Sequence, residues 1–342
     1  MIDADLIKNV GILLDTQAAV DHFSGAVLIA HEHENEPILA TARGYAIHPN
    51  ILPNQPDTKF NIASVTKMLT AVAVMRLVAV GKLDLHKPVS EYNRDLPHAN
   101  EITIHQLLTH TAGFDRYWND TYRGMRSDLR TVADYLKLFA ATPLEFPPGT
   151  RHHYGNTGYV VLGALIEQAT GESYYDYMRE SIYQPLGMHN TDHYEMDLPI
   201  ENCAVGYTND NWFGPTDGKR RANHFIYAVK GSPSEHCFST VQDLFLFCRA
   251  LVSNRLLDSH HTELCFTPQT AGEQPGVSYG YGFHIIEDGK HGLVIGHGGR
   301  AMGGDAFALI YRDLGYIVIV LSNYDRPAAR MVVDQVADML IT

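Results

Sequence analysis

The chain has 342 residues, with 26 Lys plus Arg against 39 Asp plus Glu, which gives a formal charge of −13 with histidine neutral. Apolar residues make up 45% and charged residues 19%, which is the balance of a globular protein with a large core. The acid excess argues against nucleic acid or an anionic membrane surface as a partner, because both require Lys and Arg. The longest mainly apolar run, Met68 to Val80, is too short to span a bilayer.

The N-terminal segment and the cysteines predict a cytoplasmic protein. Residues 1–20 begin with acidic side chains and carry apolar residues at helical spacing, which indicates a helix of the fold rather than a secretory signal. A leader removed from the chain is the alternative. The cysteines form no C-x-x-C pair, so we expect free, buried thiols at Cys203, Cys237, Cys248 and Cys265.

Strands are predicted at both ends of the chain and helices in the middle. The first strand candidates are Ser24 to Ala30 and Pro37 to Ala46, and Ser64 opens a long helix that Gly81 ends. The pattern is mostly helical from about residue 83 to 188. A helix that Ser239 or Thr240 caps comes next. The remaining candidates are three strands, YGYGFHII, DAFALIYRD and GYIVIVLSN, and a closing helix over about residues 327–340.

This order predicts an α/β chain of the α+β type. A mainly antiparallel sheet would be built from both chain ends and flanked by helices, with an all-helical domain inserted. The expected boundaries are residues 1–82 plus 200–342 for the sheet domain and 83–199 for the inserted domain, with the functional site between them.

The sequence Ser64-Val65-Thr66-Lys67 is the sharpest chemical signal. Ser and Lys three residues apart lie on one face of a helix, one turn apart. Ser64 would lie at the helix start, where free N–H groups favour developing negative charge. A lysine held against a hydroxyl activates it when burial lowers the ammonium pKa. An N-cap serine followed by a solvated lysine would give the same pattern.

A second signal is Tyr154-Gly155-Asn156. The Y-x-N pattern occurs three times, but only this copy follows a rigid FPPGT turn and precedes a helix. A phenol is a poor base at its usual pKa of about 10, and we expect a neighbouring lysine charge to lower that pKa. The alternative is a half-buried tyrosine whose hydroxyl bonds to backbone.

A third signal is Gly296-His297-Gly298-Gly299. It follows an apolar run, so His297 is expected near a strand end, and the glycines permit close approach of a ligand to the backbone. A glycine-rich turn is the alternative.

In this order and context the three motifs resemble the serine β-lactamase-like family. That family includes class C β-lactamases, certain D-Ala-D-Ala carboxypeptidases and aminopeptidases, and β-lactamase-fold carboxylesterases. The resemblance covers roughly residues 20–340 and includes LLTHTAG (107–113), FPPGTRHHYGNTGY (146–159), PLGM (185–188) and the Ser239-Thr240 to Asp243-Leu244 segment. It implies a β-lactamase/transpeptidase-like fold and a serine hydrolase that needs neither cofactor nor metal.

The resemblance also implies catalytic roles. Ser64 would be the acylated nucleophile, and Lys67 would take or relay its proton. Tyr154 would be the general base for acylation and would then activate water for deacylation.

Five further positions would bind substrate. Asn156 would bind a substrate carbonyl or orient Lys67, and His297 would stand where penicillinases carry the Lys of K-T-G, followed by Gly298 and Gly299. The backbone N–H groups of Ser64 and Arg300 would form the oxyanion hole.

Three departures from the family pattern limit this transfer. Histidine is largely neutral at pH 7, so H-G-G in place of K-T-G removes a permanent cation unless Arg300 supplies one. Gly155 stands where serine is usual. Residues Glu235-His236-Cys237-Phe238 replace the usual Gly-Gly pair, so we expect that loop to be packed differently.

Two other patterns are not expected to carry chemistry. Ser278 lies in a G-x-S-x-G match (GVSYG), but it leads into a strand rather than a strand-turn-helix elbow. The HEHE run at residues 31–34 shows no third ligand for a metal, so a polar hairpin tip is favoured.

The sequence therefore predicts a serine hydrolase that forms an acyl-enzyme at Ser64. We expect a carboxylesterase or a peptidase/amidase for small ester or amide substrates, with weak or no β-lactamase activity. One alternative is a penicillin-binding protein or class C-like β-lactamase. Another is a non-catalytic binding or self-assembling protein that kept the fold. The sequence leaves the oligomeric state open.

Overall fold

A long antiparallel sheet joins the two ends of the chain. The computed structural model describes residues 2–49, 51–211 and 218–341. In these ranges the strands are β1 Gly25–His31, β2 Leu39–Arg43, β3 Tyr45–Ile47, β4 Leu52–Pro53, β5 Phe60–Asn61, β6 Tyr207–Thr208, β7 Arg221–Ala222, β8 Phe238–Ser239, β9 Thr270–Ala271, β10 Val277–Tyr279, β11 His284–Asp288, β12 Gly292–Ala301, β13 Gly304–Tyr311 and β14 Tyr316–Ser322.

The main sheet has the order β2-β1-β14-β13-β12-β11-β10-β9, and neighbouring strands in it run antiparallel. Strand β1 from the N-terminal end pairs along its whole length with β14 from the C-terminal end, from Gly25 opposite Ser322 to His31 opposite Tyr316. The short strands form the pairs β3-β4, β5-β8 and β6-β7. The predicted sheet of mainly antiparallel strands from both chain ends is confirmed.

The helices lie between and around these strands. They are α1 Ile2–Ala19, α2 Thr66–Ala79, α3 Ile104–Leu108, α4 Asp120–Met125, α5 Val132–Leu136, α6 Thr157–Thr170, α7 Tyr174–Met178, α8 Gln184–Leu186, α9 Val241–Val252, α10 Ser259–Phe266 and α11 Ala328–Met339. Thr240 caps α9, since its side chain accepts a hydrogen bond from the Asp243 N–H. No helix in the described ranges is long and apolar enough to cross a membrane.

Side chains alternate between the two faces of a strand, and in the central strands both sets of side chains are buried. In β1, Val27 and Ile29 pack into a core with α1 and α11, whereas Leu28 and Ala30 belong to the larger core on the opposite face. Helix α9 contacts β1 and β14 on that opposite face, where the apolar residues of α2 are also buried. The predicted N-terminal helix thus packs on the sheet.

Two details differ from the sequence prediction. Strand β12 continues for ten residues through Gly296 to Arg300, so His297 lies within a strand and not near its end or in a turn. The cysteines are all free as predicted, but Cys203 is partly exposed while Cys237, Cys248 and Cys265 are buried.

Candidate active site

Ser64 lies in a tight turn rather than at the first residue of an α-helix. Residues Ala63–Val65 form a 3-10 turn, and α2 begins at Thr66. Ala63 has φ +46°, a conformation in which non-glycine residues cost of order 1–3 kcal/mol. The Ala63 N–H donates to Asn61 Oδ1 at 2.9 Å and the Thr66 hydroxyl donates to Ala63 O at 2.6 Å. These bonds fix the backbone on both sides of Ser64.

Lys67 is fully buried one turn after Ser64. Its Nζ lies 3.1 Å from Ser64 Oγ, 2.7 Å from Asn156 Oδ1 and 2.9 Å from the Ser234 carbonyl oxygen. Burial lowers the lysine pKa from 10.5 to about 7, while the charge of Glu235 acts in the opposite direction. In the neutral amine, two N–H groups serve Asn156 and Ser234, and the lone pair faces the Ser64 hydroxyl.

Tyr154 stands beside this pair. The Lys67 Nζ lies 4.9 Å from the centre of the Tyr154 ring. The tyrosine hydroxyl is inaccessible to solvent and makes no hydrogen bond of good geometry to any described residue. Burial nevertheless raises the Tyr154 pKa well above its usual value, and the nearby Ser64 hydroxyl only partly opposes this. Our expectation of a lowered pKa is wrong, because desolvation of the phenolate outweighs the lowering contributions of the Ser64 hydroxyl and of Arg326.

His297 is held by the protein itself. The side chain is 1% exposed. Its Nδ1 lies 2.6 Å from the Gly298 carbonyl oxygen and therefore carries the proton, so Nε2 accepts from the Tyr279 hydroxyl at 3.1 Å. Burial, and then the charges of His284 and Lys67, hold the His297 pKa well below its usual value. His297 is therefore a neutral ring with both nitrogens engaged.

Three more histidines extend this cluster: His110 and His284 pack against Tyr154, and His152 packs against His110. The centre of the His110 ring lies 4.4 Å from that of Tyr154, and the centre of the His284 ring lies 4.3 Å from that of His297. Burial lowers the pKa of His110, of His152 and of His284, the last to about 4. The cluster is neutral at pH 7. Among the residues that the structure describes, no three His, Cys, Asp or Glu side chains are placed to hold a metal.

The second half of β12 borders the nucleophile. Strand β11 pairs with β12 only from Gly292 to Gly296, and β13 pairs with it through Ala301. A side chain at Gly299 would collide with the Ile62 carbonyl and crowd the Ser64 nitrogen, so only glycine permits this approach.

Two arginines, Arg300 and Arg326, carry positive charge near this strand. Arg300 follows Gly299 with an exposed side chain. Arg326 donates from Nε to Asp305 Oδ1 at 2.9 Å and from Nη2 to the Gly299 carbonyl at 3.4 Å. Its charge contributes to the pKa of Tyr154 and of His297 in the lowering direction.

The predicted site residues thus come from distant parts of the sequence to one place. Ser64, Lys67, Tyr154 and Asn156 are joined by direct contacts, and β12 lies against the Ser64 turn.

Sequence reasoning missed several side chains that complete the site. Glu235 belongs to a loop that departs from the family pattern, and Tyr279 belongs to the discounted G-x-S-x-G match. His110 is part of LLTHTAG. His284 and Arg326 carried no sequence signal.

The sequence matches the Beta-lactamase family model over residues 15–342. The chain belongs to the β-lactamase family. It is 28% identical over 327 residues to penicillin-binding protein 4* of Bacillus subtilis, which covers 92% of this chain and 71% of that protein. It is 35% identical to esterase EstB of Burkholderia gladioli over 202 residues, which covers 54% of this chain and 51% of the esterase.

Solved structures of similar proteins share the fold. A penicillin-binding protein from Bacillus halodurans superposes with a TM-score of 0.86 at 30% identity, covering 95% of this chain and 98% of its own. The D-amino acid amidase of Ochrobactrum anthropi SV3 superposes with a TM-score of 0.85 at 26% identity, covering 98% and 99%. The predicted family and fold are confirmed, and together these relatives indicate a serine hydrolase of the β-lactamase fold.

Proposed function

We propose that this β-lactamase-family protein hydrolyses small esters or amides through an acyl-enzyme at Ser64. The observation that carries the proposal is the position of Lys67. Its buried amine has two hydrogen-bond acceptors besides Ser64, so the neutral form turns its lone pair to the Ser64 hydroxyl. A pKa of about 7 makes that neutral form abundant at physiological pH.

Acylation starts with transfer of the Ser64 Oγ proton to the Lys67 amine. The oxygen attacks the substrate carbonyl carbon, and the carbonyl π electrons move to the oxygen, where the Ser64 and Arg300 N–H groups are proposed to bind it. The C–O or C–N bond to the leaving group then breaks as the carbonyl re-forms. The leaving group takes a proton from the Tyr154 hydroxyl, which recovers one from the Lys67 ammonium.

Deacylation reverses these transfers with water in place of the leaving group. A water gives its proton through Tyr154 to neutral Lys67 and attacks the acyl carbon. When the tetrahedral species collapses, Ser64 Oγ leaves and regains a proton from Lys67, which releases a carboxylic acid. Tyr154 fits a relay role because its hydroxyl is protonated at neutral pH and has no competing partner of good geometry in the described chain.

Strand β12 offers no cation at position 297, which favours substrates without a carboxylate beside that residue. His297 is neutral and both its nitrogens bond to protein, so it offers no charge and no free donor. Arg326 is bound to Asp305, and Arg300, the arginine within β12, has an exposed side chain. We therefore propose weak or no β-lactamase activity. The names of two relatives, an esterase and a D-amino acid amidase, support an ester or amide substrate.

The proposed site lies between the two proposed domains. Residues 1–82 and 200–342 supply Ser64, Lys67 and β12, and residues 83–199 supply Tyr154 and Asn156. The cytoplasmic location stays a prediction from the N-terminal segment.

The test is a substrate panel run on wild type and Ser64→Ala. The panel contains p-nitrophenyl esters of several chain lengths, D-amino acid amides and a chromogenic cephalosporin, and a fluorophosphonate probe reports labelling of Ser64. We expect ester or amide turnover and labelling in the wild type and neither in Ser64→Ala. The matched control is Ser278→Ala in the discounted G-x-S-x-G match, which should keep both.

The alternatives give different results in the same panel. Stable acylation by the cephalosporin without its turnover, together with little ester hydrolysis, would favour a penicillin-binding protein, which the similarity to penicillin-binding protein 4* supports. Fast cephalosporin turnover would show a β-lactamase. A wild-type protein that neither labels at Ser64 nor turns over any member of the panel would overturn the proposal and favour a binding or self-assembling protein.

A further inference from the structure

Glu235 follows Ser234, whose carbonyl oxygen binds Lys67, in a loop where the family pattern has a glycine pair. Its Oε1 accepts hydrogen bonds from Trp118 Nε1 at 2.7 Å and from the Tyr117 hydroxyl at 2.9 Å. Burial raises the pKa of the Glu235 carboxyl, and the charge of Lys67 and then hydrogen bonding from Tyr117, Trp118 and Asn156 lower it. Ser234, the preceding residue, gives its carbonyl to Lys67. The loop therefore contacts Lys67 directly through the Ser234 carbonyl.

The hydrogen-bond directions around Asn156 follow from the lysine. Because the Lys67 amine donates to Asn156 Oδ1, the amide group of Asn156 faces away from Lys67 with its Nδ2. That nitrogen can only donate, so its partner must accept. Glu235 is the acceptor that the structure provides.

We infer that Glu235 is a positioning residue for Lys67, which holds the Asn156 oxygen against the lysine amine and supplies the countercharge for its protonated form. The inference rests on the proposed function, since it concerns the proton acceptor of the same reaction. A glycine at position 235 would provide neither the acceptor nor the charge.

A carboxylate suits this position better than any neutral side chain of the same length. Trp118 Nε1 is a donor only, and Asn156 presents a donor as well. A carboxylate accepts from both sides, whereas a glutamine amide has one accepting oxygen and one donating nitrogen. A glutamine at position 235 would present its donating nitrogen to one of these two donors, which removes that hydrogen bond.

Other charged and titratable groups also face Lys67. The ring centres of Tyr154 and Tyr159 lie 4.9 Å and 5.7 Å from Lys67 Nζ. His110, His284 and His297 are neutral rings, and the charge of Lys67 lowers the pKa of each. Glu235 is the acid that raises the Lys67 pKa against burial. Removing it therefore lowers the pKa of Lys67.

The experiment compares pH profiles of kcat/KM on the p-nitrophenyl ester that the wild type hydrolyses fastest. In Glu235→Gln we expect the acidic limb to move to lower pH by about 1 unit, the size expected for loss of a nearby opposite charge. The plateau should fall about 10- to 100-fold because Asn156 and Lys67 lose their fixed geometry. Glu235→Gly should move the acidic limb in the same direction without adding a donor, and it replaces the glutamine variant if that variant folds poorly.

The control is Glu263→Gln, which removes a carboxylate from an exposed position on α10. Its limb should coincide with the wild-type limb. If the acidic limb of the kcat/KM profile stays at the wild-type pH in a folded Glu235→Gln or Glu235→Gly variant, the inference is overturned, whether or not the plateau falls. The pH dependence of fluorophosphonate labelling distinguishes failure of the Glu235 inference from failure of the proposed function. Labelling of Ser64 with the same profile in wild type and variants rejects only the role of Glu235, whereas no labelling in wild type rejects the proposed function.

Discussion

The amine nitrogen of Lys67 lies 3.1 Å from the hydroxyl oxygen of Ser64, at the end of a side chain that is fully buried. Burial makes the ammonium form costly, and this lowers the lysine pKa to about 7. The pKa of Lys67 therefore lies below that of Tyr154, whereas the usual pKa values of lysine and tyrosine are similar. The phenol of Tyr154 stays protonated at a pH where the lysine is already half neutral, because burial raises the Tyr154 pKa.

This relationship predicts a pH dependence. If neutral Lys67 is the proton acceptor, kcat/KM rises with pH along an acidic limb of apparent pKa about 7 and levels off above it. Lys67→Arg should lose activity by about 10²- to 10⁴-fold at every pH, because a guanidinium does not become neutral in this range. The measurement is ester hydrolysis from pH 5 to 9. Lys290→Arg, in an exposed turn, is the matched control and should keep the wild-type profile, and an active Lys67→Arg enzyme would exclude Lys67 as the proton acceptor.

Tyr154→Phe separates chemistry from folding. The Tyr154 hydroxyl has no hydrogen-bond partner of good geometry among the described residues, so its removal leaves no orphaned group and should not lower the free energy of unfolding. The rate should nevertheless fall by about 10²- to 10⁴-fold if the hydroxyl relays protons.

The control for this substitution is Tyr207→Phe, in another Y-x-N match of the chain. There the hydroxyl accepts from the His48 N–H at 2.7 Å, so we expect a loss of about 1 kcal/mol in stability with little change in rate. A wild-type rate in Tyr154→Phe would remove Tyr154 from the mechanism.

Much of the site could be predicted from short-range spacing. Ser64 lies in the 3-10 turn that leads into α2 and Lys67 in the first turn of α2, so their three-residue spacing places them on one face. The pKa values could not be predicted in this way, because they depend on burial by residues far away in the sequence. For Tyr154 that burial reversed the expected direction.

The environment of His297 was also beyond sequence reasoning. The ring depends on a hydrogen bond from Tyr279, which lies 18 residues earlier in the chain and reaches His297 only because of the pairing of β10, β11 and β12. Glu235 was marked only as a departure from a pattern. Its role depends on contacts with Trp118 and Asn156 that nothing in the local sequence encodes.

The glycines of β12 fit a turn as well as a strand by composition, and the packing explains why they are in a strand. Gly299 lies against the Ser64 turn, where a Cβ atom would overlap the Ile62 carbonyl and crowd the Ser64 nitrogen. Gly299→Ala should therefore push β12 away from the nucleophile. We expect kcat/KM to fall about 100-fold and stability to fall by about 1–3 kcal/mol.

A matched substitution for Gly299→Ala is Gly124→Ala in α4. A Cβ at Gly124 meets nothing within 4 Å, so both rate and stability should be close to wild type. Titration with the fluorophosphonate probe and denaturant unfolding give the two measurements. A fully active Gly299→Ala enzyme would show that the close approach of β12 to Ser64 is not needed.

The buried histidines around Tyr154 predict a loss of stability in acid. Burial first, and then the charges of His152, Lys67 and Arg326, lower the folded-state pKa of His284 to about 4, against about 6.5 in the unfolded chain. Between these values the unfolded state binds more protons, so the stabilising effect is complete above pH 6.5 and is lost as the pH falls toward 4. His284→Phe, which keeps a ring against His297 and Tyr154, should reduce the dependence of the unfolding free energy on pH by up to about 1.4 kcal/mol per pH unit in this window.

Denaturant unfolding at several values from pH 7 to 4.5 measures this slope of the unfolding free energy against pH, and His33→Gln, at an exposed side chain, should leave the slope unchanged. Equal slopes for wild type and His284→Phe would mean that His284 is protonated in the folded protein as readily as in the unfolded one.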